Sequence, residues 1–241
     1  LTAYSKNVAE AIDPYTDIIL IGDSLGSVLY NYSSTRKVTL DTMIEHSKSA
    51  RLGIKNSLMV VDMPFRTYTN KFTALKNAKR IIKETKCDAV KLEGGSSIIK
   101  IIEHLIKNKV PVMGHLGILP QSVKGKFKFK GKKNSERNKI FNEAKLLEKI
   151  GVFSIVLECV ESTLAKKISK KLKIPTIGIG AGLDCDGQVL VLYDLLGLFD
   201  EFSPKFVKPY AHLKADALQA LRRFKEEVEC QKFPSDLESY Q

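Results

Sequence analysis

Short apolar runs rich in Val and Ile alternate with amphipathic helical patterns along the whole chain, and this alternation limits the possible folds more than any other feature. Candidate strands begin near Leu1, Asp17, Ser57, Asp88, Val110, Val152, Ile174 and Lys205. They are short, apolar and rich in Val and Ile, as expected for strands buried on both faces of a parallel sheet. Between several of them, residues 74–86, 97–108, 138–150 and 163–172 place apolar side chains at i, i+3, i+4 and i+7, which gives each a single face to lay on a sheet. Eight strands in regular alternation over 241 residues predict a (β/α)8 TIM barrel, a single catalytic domain spanning residues 1–241. Residues 213–229 read as a final helix and residues 230–241 as a polar tail. A doubly wound sheet is the competing architecture, but it would gather its ligands at one switch point.

The strand ends argue for the barrel. Four apolar runs, residues 17–22, 58–61, 89–92 and 153–157, are each followed at once by a carboxylate: Asp23, Asp62, Glu93 and Glu158. A fifth, residues 110–114, delivers His115. A carboxylate beside a buried strand is costly to desolvate and is paired, metal-bound or poised for chemistry. Any one of these could be a helix cap or an ion pair. Several at equivalent positions predict one site at the C-terminal ends of the strands. Oxygen-only ligands from Asp23, Asp62 and Glu93 suit a hard cation such as Mg²⁺. Lys91 lies two residues before Glu93 and so shares its face of the strand, where it needs an anionic partner from the protein or a substrate. His115, flanked by Gly114 and Gly117, reads as a pocket residue. Glu158 arrives from the far side of the barrel, where it could act as a general base or pair with Lys91.

The remaining features exclude more than they propose. Cys87, Cys159, Cys185 and Cys230 form no CxxC pair, and the four histidines show no zinc spacing, which fits a reducing, cytoplasmic setting. No apolar run approaches membrane-spanning length, and no signal peptide is visible. The abrupt opening on LTAY reads as a chain lacking some N-terminal residues. The net charge of +12 and pI of about 9.4 could indicate nucleic acid, but the lysines spread over every helix, as solvated faces do. The densest run, residues 124–133 (KGKFKFKGKK), reads as a solvated loop over a pocket. The GIGAG run at 178–182 lacks GxGxxG spacing and reads as a close-approach turn at a strand end.

Read together, LTAY (1–4), IGDSLGSV (21–28), VTLDTMIEH (38–46), VDMPF (61–65), VKLEGG (90–95), PVMGHLGILPQSV (111–123), IVLECV (155–160), IPTIGIGAGLDCDGQVLV (174–191) and PKFVKPY (204–210) resemble the ketopantoate hydroxymethyltransferase family in order through nearly the whole chain. The resemblance implies a barrel like those of phosphoenolpyruvate mutase and isocitrate lyase. It implies transfer of a one-carbon unit from 5,10-methylenetetrahydrofolate to 3-methyl-2-oxobutanoate, giving ketopantoate for pantothenate and coenzyme A synthesis. Carried over by motif, Asp23 and Asp62 would ligate Mg²⁺ directly, with Glu93 as the third carboxylate, reached through water. Asp23, Ser24, Asp62 and Lys91 would hold the keto acid, His115 would line the pocket, and Glu158 would accept the proton. The family also implies a homodecamer of two pentameric rings, acting on small molecules rather than on nucleic acid or a membrane. The alternative is a Mg²⁺-dependent 2-oxo-acid lyase or mutase on the same barrel, whose KKCGH-type loop is not evident here. Two departures stand out: Ser5 follows LTAY where the family has Asp, and residues 124–133 replace a segment close to GGYKVQG.

Overall fold

The computed structural model describes residues 1–122, 129–199 and 204–240. Among them, seven strands form one sheet: β1 (Ile18–Ile21), β2 (Leu58–Asp62), β3 (Ala89–Glu93), β4 (Val112–Gly117), β5 (Ser154–Glu158), β6 (Thr176–Ile179) and β7 (Gly187–Gln188). They are hydrogen-bonded in chain order and parallel throughout. The helices are α1 (Lys6–Ile12), α2 (Leu25–Val28), α3 (Leu40–Arg51), α4 (Lys71–Thr85), α5 (Ile99–Lys107), α6 (Asn134–Ile150), α7 (Ser162–Lys171), α8 (Leu192–Leu195) and α9 (Leu213–Glu229).

Local chemistry explains the boundaries. The Asn70 side chain accepts hydrogen bonds from the Phe72 and Thr73 N–H groups and starts α4, which buries Ala74, Ala78, Ile81 and Thr85 at helical spacing. Gly151 ends α6 in the left-handed conformation at φ 96°. The lysines at 79, 83, 86, 100, 107, 109, 166, 167, 170, 171 and 173 are exposed, which is the solvated-face reading.

Strand alternation divides the sheet into two faces. On one face Val60, Ala89, Met113 and Val156 form a buried apolar cluster, joined by Ile18, Leu20, Phe153, Ile177 and Ile179. Side chains two positions further along these strands share the same face but are polar: Asp62 after Val60, Lys91 after Ala89, His115 after Met113 and Glu158 after Val156. An apolar layer therefore underlies a polar one at the C-terminal strand ends. The sheet curls, because Leu1 and β1 at one end and Gly187–Val189 at the other line the same cavity of about 200 Å³. This is a (β/α)8-barrel-like fold.

The strand count departs from the sequence reading at both ends. Near Leu1 the chain makes only a single parallel bridge, Thr2 to Leu20. The strand expected near Lys205 is absent among the described residues; there the Val207 N–H bonds back to the Pro204 carbonyl at 2.9 Å and closes a turn. The last strand of the sheet is instead β7, which follows the GIGAG run at 178–182 in a stretch where no strand is read from sequence. Residues Leu1–Val191 form one compact unit and Leu192–Gln241 a second. The reading of one domain over 1–241 anticipates no such division. Within the second unit the polar tail carries a 3-10 turn at Asp236–Glu238, capped by Ser235. No helix among the described residues is long and apolar enough to cross a membrane.

Candidate active site

Strand register assembles the polar layer. Asp62 lies beside Lys91, Glu93 beside His115, and Gly117 beside Glu158. β1 ends at Ile21, and the turn that follows, Gly22–Ser24, brings Asp23 over the end of β2, where its backbone N–H donates to Asp62 Oδ2 at 3.1 Å. Gly22 permits this approach: a Cβ there would sit 2.9 Å from Ser24 Oγ and 3.6 Å from Asp62 Oδ2. Ser24 Oγ is hydrogen-bonded to the buried Tyr4 hydroxyl at 2.8 Å.

Lys91 is at the centre. Its ammonium lies 3.0 Å from Asp62 Oδ1 and 3.3 Å from His115 Nδ1. His115 Nδ1 also lies 3.8 Å from Glu93 Oε1, and its Nε2 lies 3.1 Å from Glu158 Oε2. Because an ammonium can only donate, Nδ1 is assigned as the acceptor, which places the ring proton on Nε2, facing Glu158. Glu158 thus meets His115 rather than Lys91, and its side chain is 18% exposed against 3% for His115. One glycine sets this strand end: a Cβ on Gly117, at φ +100°, would fall 2.1 Å from the Glu158 carbonyl oxygen.

The electrostatics follow from crowding. Burial and then the neighbouring Asp62 push the Asp23 carboxyl up to about 7. Glu93 is raised well above the usual carboxylate range by burial, with Asp23 adding to the rise and Lys91 opposing it. For Lys91, burial favours the neutral amine, but Asp62, Glu93 and Asp23 outweigh it and keep the ammonium. Burial, then Lys91, lower His115, so its imidazole is neutral near pH 7.

Asp23, Asp62, Lys91, Glu93, His115 and Glu158 therefore belong to one network, and Ser24, next to Asp23 in the chain, bonds to Tyr4 instead. Three carboxylates around a single point are not realised in that form: among the described residues no three His, Cys, Asp or Glu side chains already stand in a metal-holding arrangement. Gln121 lies between two of the carboxylates. Its backbone N–H donates to Glu93 Oε2 at 3.0 Å and its Nε2 to Asp23 Oδ2 at 2.8 Å. The donor set nonetheless fits a hard cation: buried oxygens repel one another, and Asp62 Oδ1 is buried without a well-directed hydrogen bond despite the nearby ammonium.

Sequence reasoning missed Gln121, Tyr68 and Tyr4. Each lies outside the strand-end positions that drew attention, although Gln121 falls in the PQSV stretch and Tyr4 in LTAY. The glycine-rich run behaves differently from its reading: a Cβ on Gly178 would crowd Cys185 Sγ and Gln188, so this glycine admits the chain's own following loop. Of the basic run at 124–133, residues 124–128 lie outside the described residues; Lys130 pairs with Glu136 at 3.5 Å.

A curled parallel sheet whose C-terminal strand ends carry buried carboxylates, a lysine and a histidine defines an enzyme of the (β/α)-barrel class. Its fold is shared with phosphonopyruvate hydrolase, solved in complex with oxalate and Mg²⁺ (TM-score 0.61, 12% identity, covering 100% of this chain and 85% of that one). It is shared also with 2,3-dimethylmalate lyase, a member of the PEP mutase/isocitrate lyase superfamily (TM-score 0.58, 12% identity, 99% and 85% covered). The chain belongs to the ketopantoate hydroxymethyltransferase family, whose model matches residues 1–236. It is 62% identical over 240 residues to the 3-methyl-2-oxobutanoate hydroxymethyltransferase of Pelagibacter ubique, covering 100% of this chain and 93% of the relative. The enzyme of the same name from Clostridium botulinum is 50% identical over 244 residues, with 100% and 89% covered. The family is one of transferases, and the likeness to lyases and hydrolases is one of fold.

Proposed function

We propose that this enzyme transfers the one-carbon unit of 5,10-methylenetetrahydrofolate to C3 of 3-methyl-2-oxobutanoate, forming 2-dehydropantoate, and that it uses Mg²⁺. The observation that carries this reading is the Asp62–Lys91–His115–Glu158 chain of contacts beside Asp23. It sets cationic and carboxylate groups for a 2-oxo acid on one side and an accessible base on the other.

Asp23 and Asp62 would hold the cation directly, and Glu93, kept apart by Gln121, would reach it through water. When bound, the cation supplies Lewis acidity toward the ketone and carboxylate oxygens of the substrate. Lys91, 3.0 Å from Asp62 Oδ1 and 3.3 Å from His115 Nδ1, would meet the substrate's negative charge with its ammonium. Ser24, fixed by Tyr4, offers a hydroxyl at the same mouth. Glu158 takes the C3 proton as the substrate enolises, the resulting carbon nucleophile forms a C–C bond to the one-carbon unit, and water supplies the hydroxyl oxygen as the carbon–nitrogen bond breaks and tetrahydrofolate departs. His115 Nε2, 3.1 Å from Glu158 Oε2, sets the position of that carboxylate at the edge of the site.

The wider setting is part of the same proposal. An assembly of ten copies in two pentameric rings suits a chain whose α9 exposes Leu218, Leu221, Phe224 and Val228. Four free cysteines suit a cytoplasmic enzyme. The test is direct: purified enzyme, Mg²⁺, 3-methyl-2-oxobutanoate and ¹³C-labelled methylenetetrahydrofolate should yield labelled 2-dehydropantoate by NMR. Cleavage of the oxo acid without incorporation of label would favour a lyase and refute the transferase reading.

A further inference from the structure

The residue that grips two of the site carboxylates at once is neither a carboxylate nor a base. Gln121 lies in the turn after β4, where the Ser122 N–H bonds to the Leu119 carbonyl at 2.8 Å and Pro120 stiffens the approach. It is 3% exposed. Every hydrogen-bonding group of its side-chain amide is engaged. Nε2 donates to Asp23 Oδ2 at 2.8 Å and to the Met63 carbonyl at 3.0 Å, and Oε1 accepts from the Tyr68 hydroxyl at 2.6 Å. Its backbone N–H donates to Glu93 Oε2 at 3.0 Å. One residue from the fourth strand's loop thus ties together groups that follow the first, second and third strands.

We propose that Gln121 is the positioning residue that fixes the separation of Asp23 and Glu93, with the Met63 carbonyl setting the orientation of its amide and the Tyr68 hydroxyl bracing Oε1. An amide can be turned end for end with little change of shape. If turned, Oε1 would face the Asp23 carboxylate and the 2.8 Å donor bond would become a repulsion between two acceptors. The Met63 carbonyl, which can only accept, excludes that state together with the Asp23 carboxylate, and the Tyr68 hydroxyl donates to Oε1 in the orientation they set. With Asp23 Oδ2 occupied by Gln121, Oδ1 is the oxygen left for a ligand. The carboxylates themselves repel, so a fixed spacer is what keeps them at working distance without letting them collapse onto Lys91. This inference rests on the reading of Asp23, Asp62 and Glu93 as the divalent-cation site.

The test uses the full chain with Mn²⁺ as probe, titrated by EPR into the unaltered protein, Asp23→Asn, Gln121→Met and Tyr68→Phe, alongside crystal structures of the last two. Met matches Gln in length but donates nothing, and Phe removes only the hydrogen bond that braces Oε1. Mn²⁺ affinity should fall about tenfold in Gln121→Met, the order of one charge-assisted hydrogen bond, and by a smaller factor in Tyr68→Phe. The crystal structures should show Asp23 displaced from its position. Unchanged affinity with Asp23 in place in both variants would overturn the proposal. If Gln121→Met does not fold, Tyr68→Phe alone decides it by the same two readings. If the unaltered protein and Asp23→Asn both fail to bind Mn²⁺, the cation reading fails. The crystal structures then decide the spacing role: a moved Asp23 upholds it, an unmoved one refutes it.

Discussion

Replacing Lys91 by Met tests whether one cation holds the site's carboxylates in place. The ammonium and Asp62 Oδ1 are 3.0 Å apart, with side chains 5% and 4% exposed. At that distance and an effective dielectric constant of about 20 their attraction is about 5 kcal/mol, against which both desolvation costs must be set. Removing one partner of such a pair costs about 3–5 kcal/mol, because the other is left buried and unpaired. Lys91→Met leaves Asp62 in that condition and takes the neighbouring cation from Glu93 and Asp23, so its cost should reach the upper end of that range. Asp62→Asn should cost less, about 1–3 kcal/mol, since Lys91 keeps Glu93 and Asp23 as neighbours. The double variant removes the charge and its countercharge together, and should be more stable than the sum of the two losses by about 2 kcal/mol. The assay is urea unfolding followed by circular dichroism, in EDTA at pH 7.5 and one fixed protein concentration. A coupling below about 0.5 kcal/mol, or a Lys91→Met protein as stable as its parent, would refute the claim that this ion pair organises the site.

Two further sites give sharp expectations. The Asp13 carboxylate accepts the N–H groups of Lys55, Asn56 and Ser57 ahead of β2. Burial alone would raise its pKa, but the hydrogen bonds from Ser57, Lys55 and Asn56 outweigh it and hold it at about 2, below the ordinary 3.8. Its stabilisation is therefore present above about pH 4 and lost as the pH falls toward 2. Asp13→Ala should cost about 2–3 kcal/mol at pH 7, and that deficit should shrink over this acid window; a deficit independent of pH in urea unfolding would contradict the reading. At Gly117, Ala would combine φ +100° with a 2.1 Å clash against the Glu158 carbonyl. Gly117→Ala should cost about 2 kcal/mol or more and should displace Glu158, so an unshifted melting temperature with full turnover would show that this strand end is softer than it looks.

Most of the barrel was legible because parallel strands buried on both faces leave a largely apolar signature, as in residues 58–61 and 155–157. Period-2 alternation then fixed which side chains share a face: Lys91 and Glu93 could be placed together from spacing alone. The ends of the sheet were not legible. The apolar stretch near Lys205 resembles a strand, but Pro204 and the turn it opens remove it from the ladder, whereas the two-residue β7 is too short to leave a pattern. Within the site, charge at strand ends signalled Asp23, Asp62, Glu93, His115 and Glu158. Partner choice was not signalled: Glu158 could have met Lys91 but meets His115, because register sets that pairing. Gln121, Tyr68 and Tyr4 act by hydrogen bonding across loops distant in sequence, and neither periodicity nor charge reveals such contacts.

The central claim is that Glu158 removes the C3 proton of a bound 2-oxo acid. Its most direct test is NMR of 3-methyl-2-oxobutanoate in D₂O, with enzyme and Mg²⁺ but no folate. The account expects the C3 proton to exchange for deuterium, and expects that exchange to vanish with EDTA and in Glu158→Gln. Exchange that persists undiminished in Glu158→Gln, or that never appears even when methylenetetrahydrofolate is added, would contradict it.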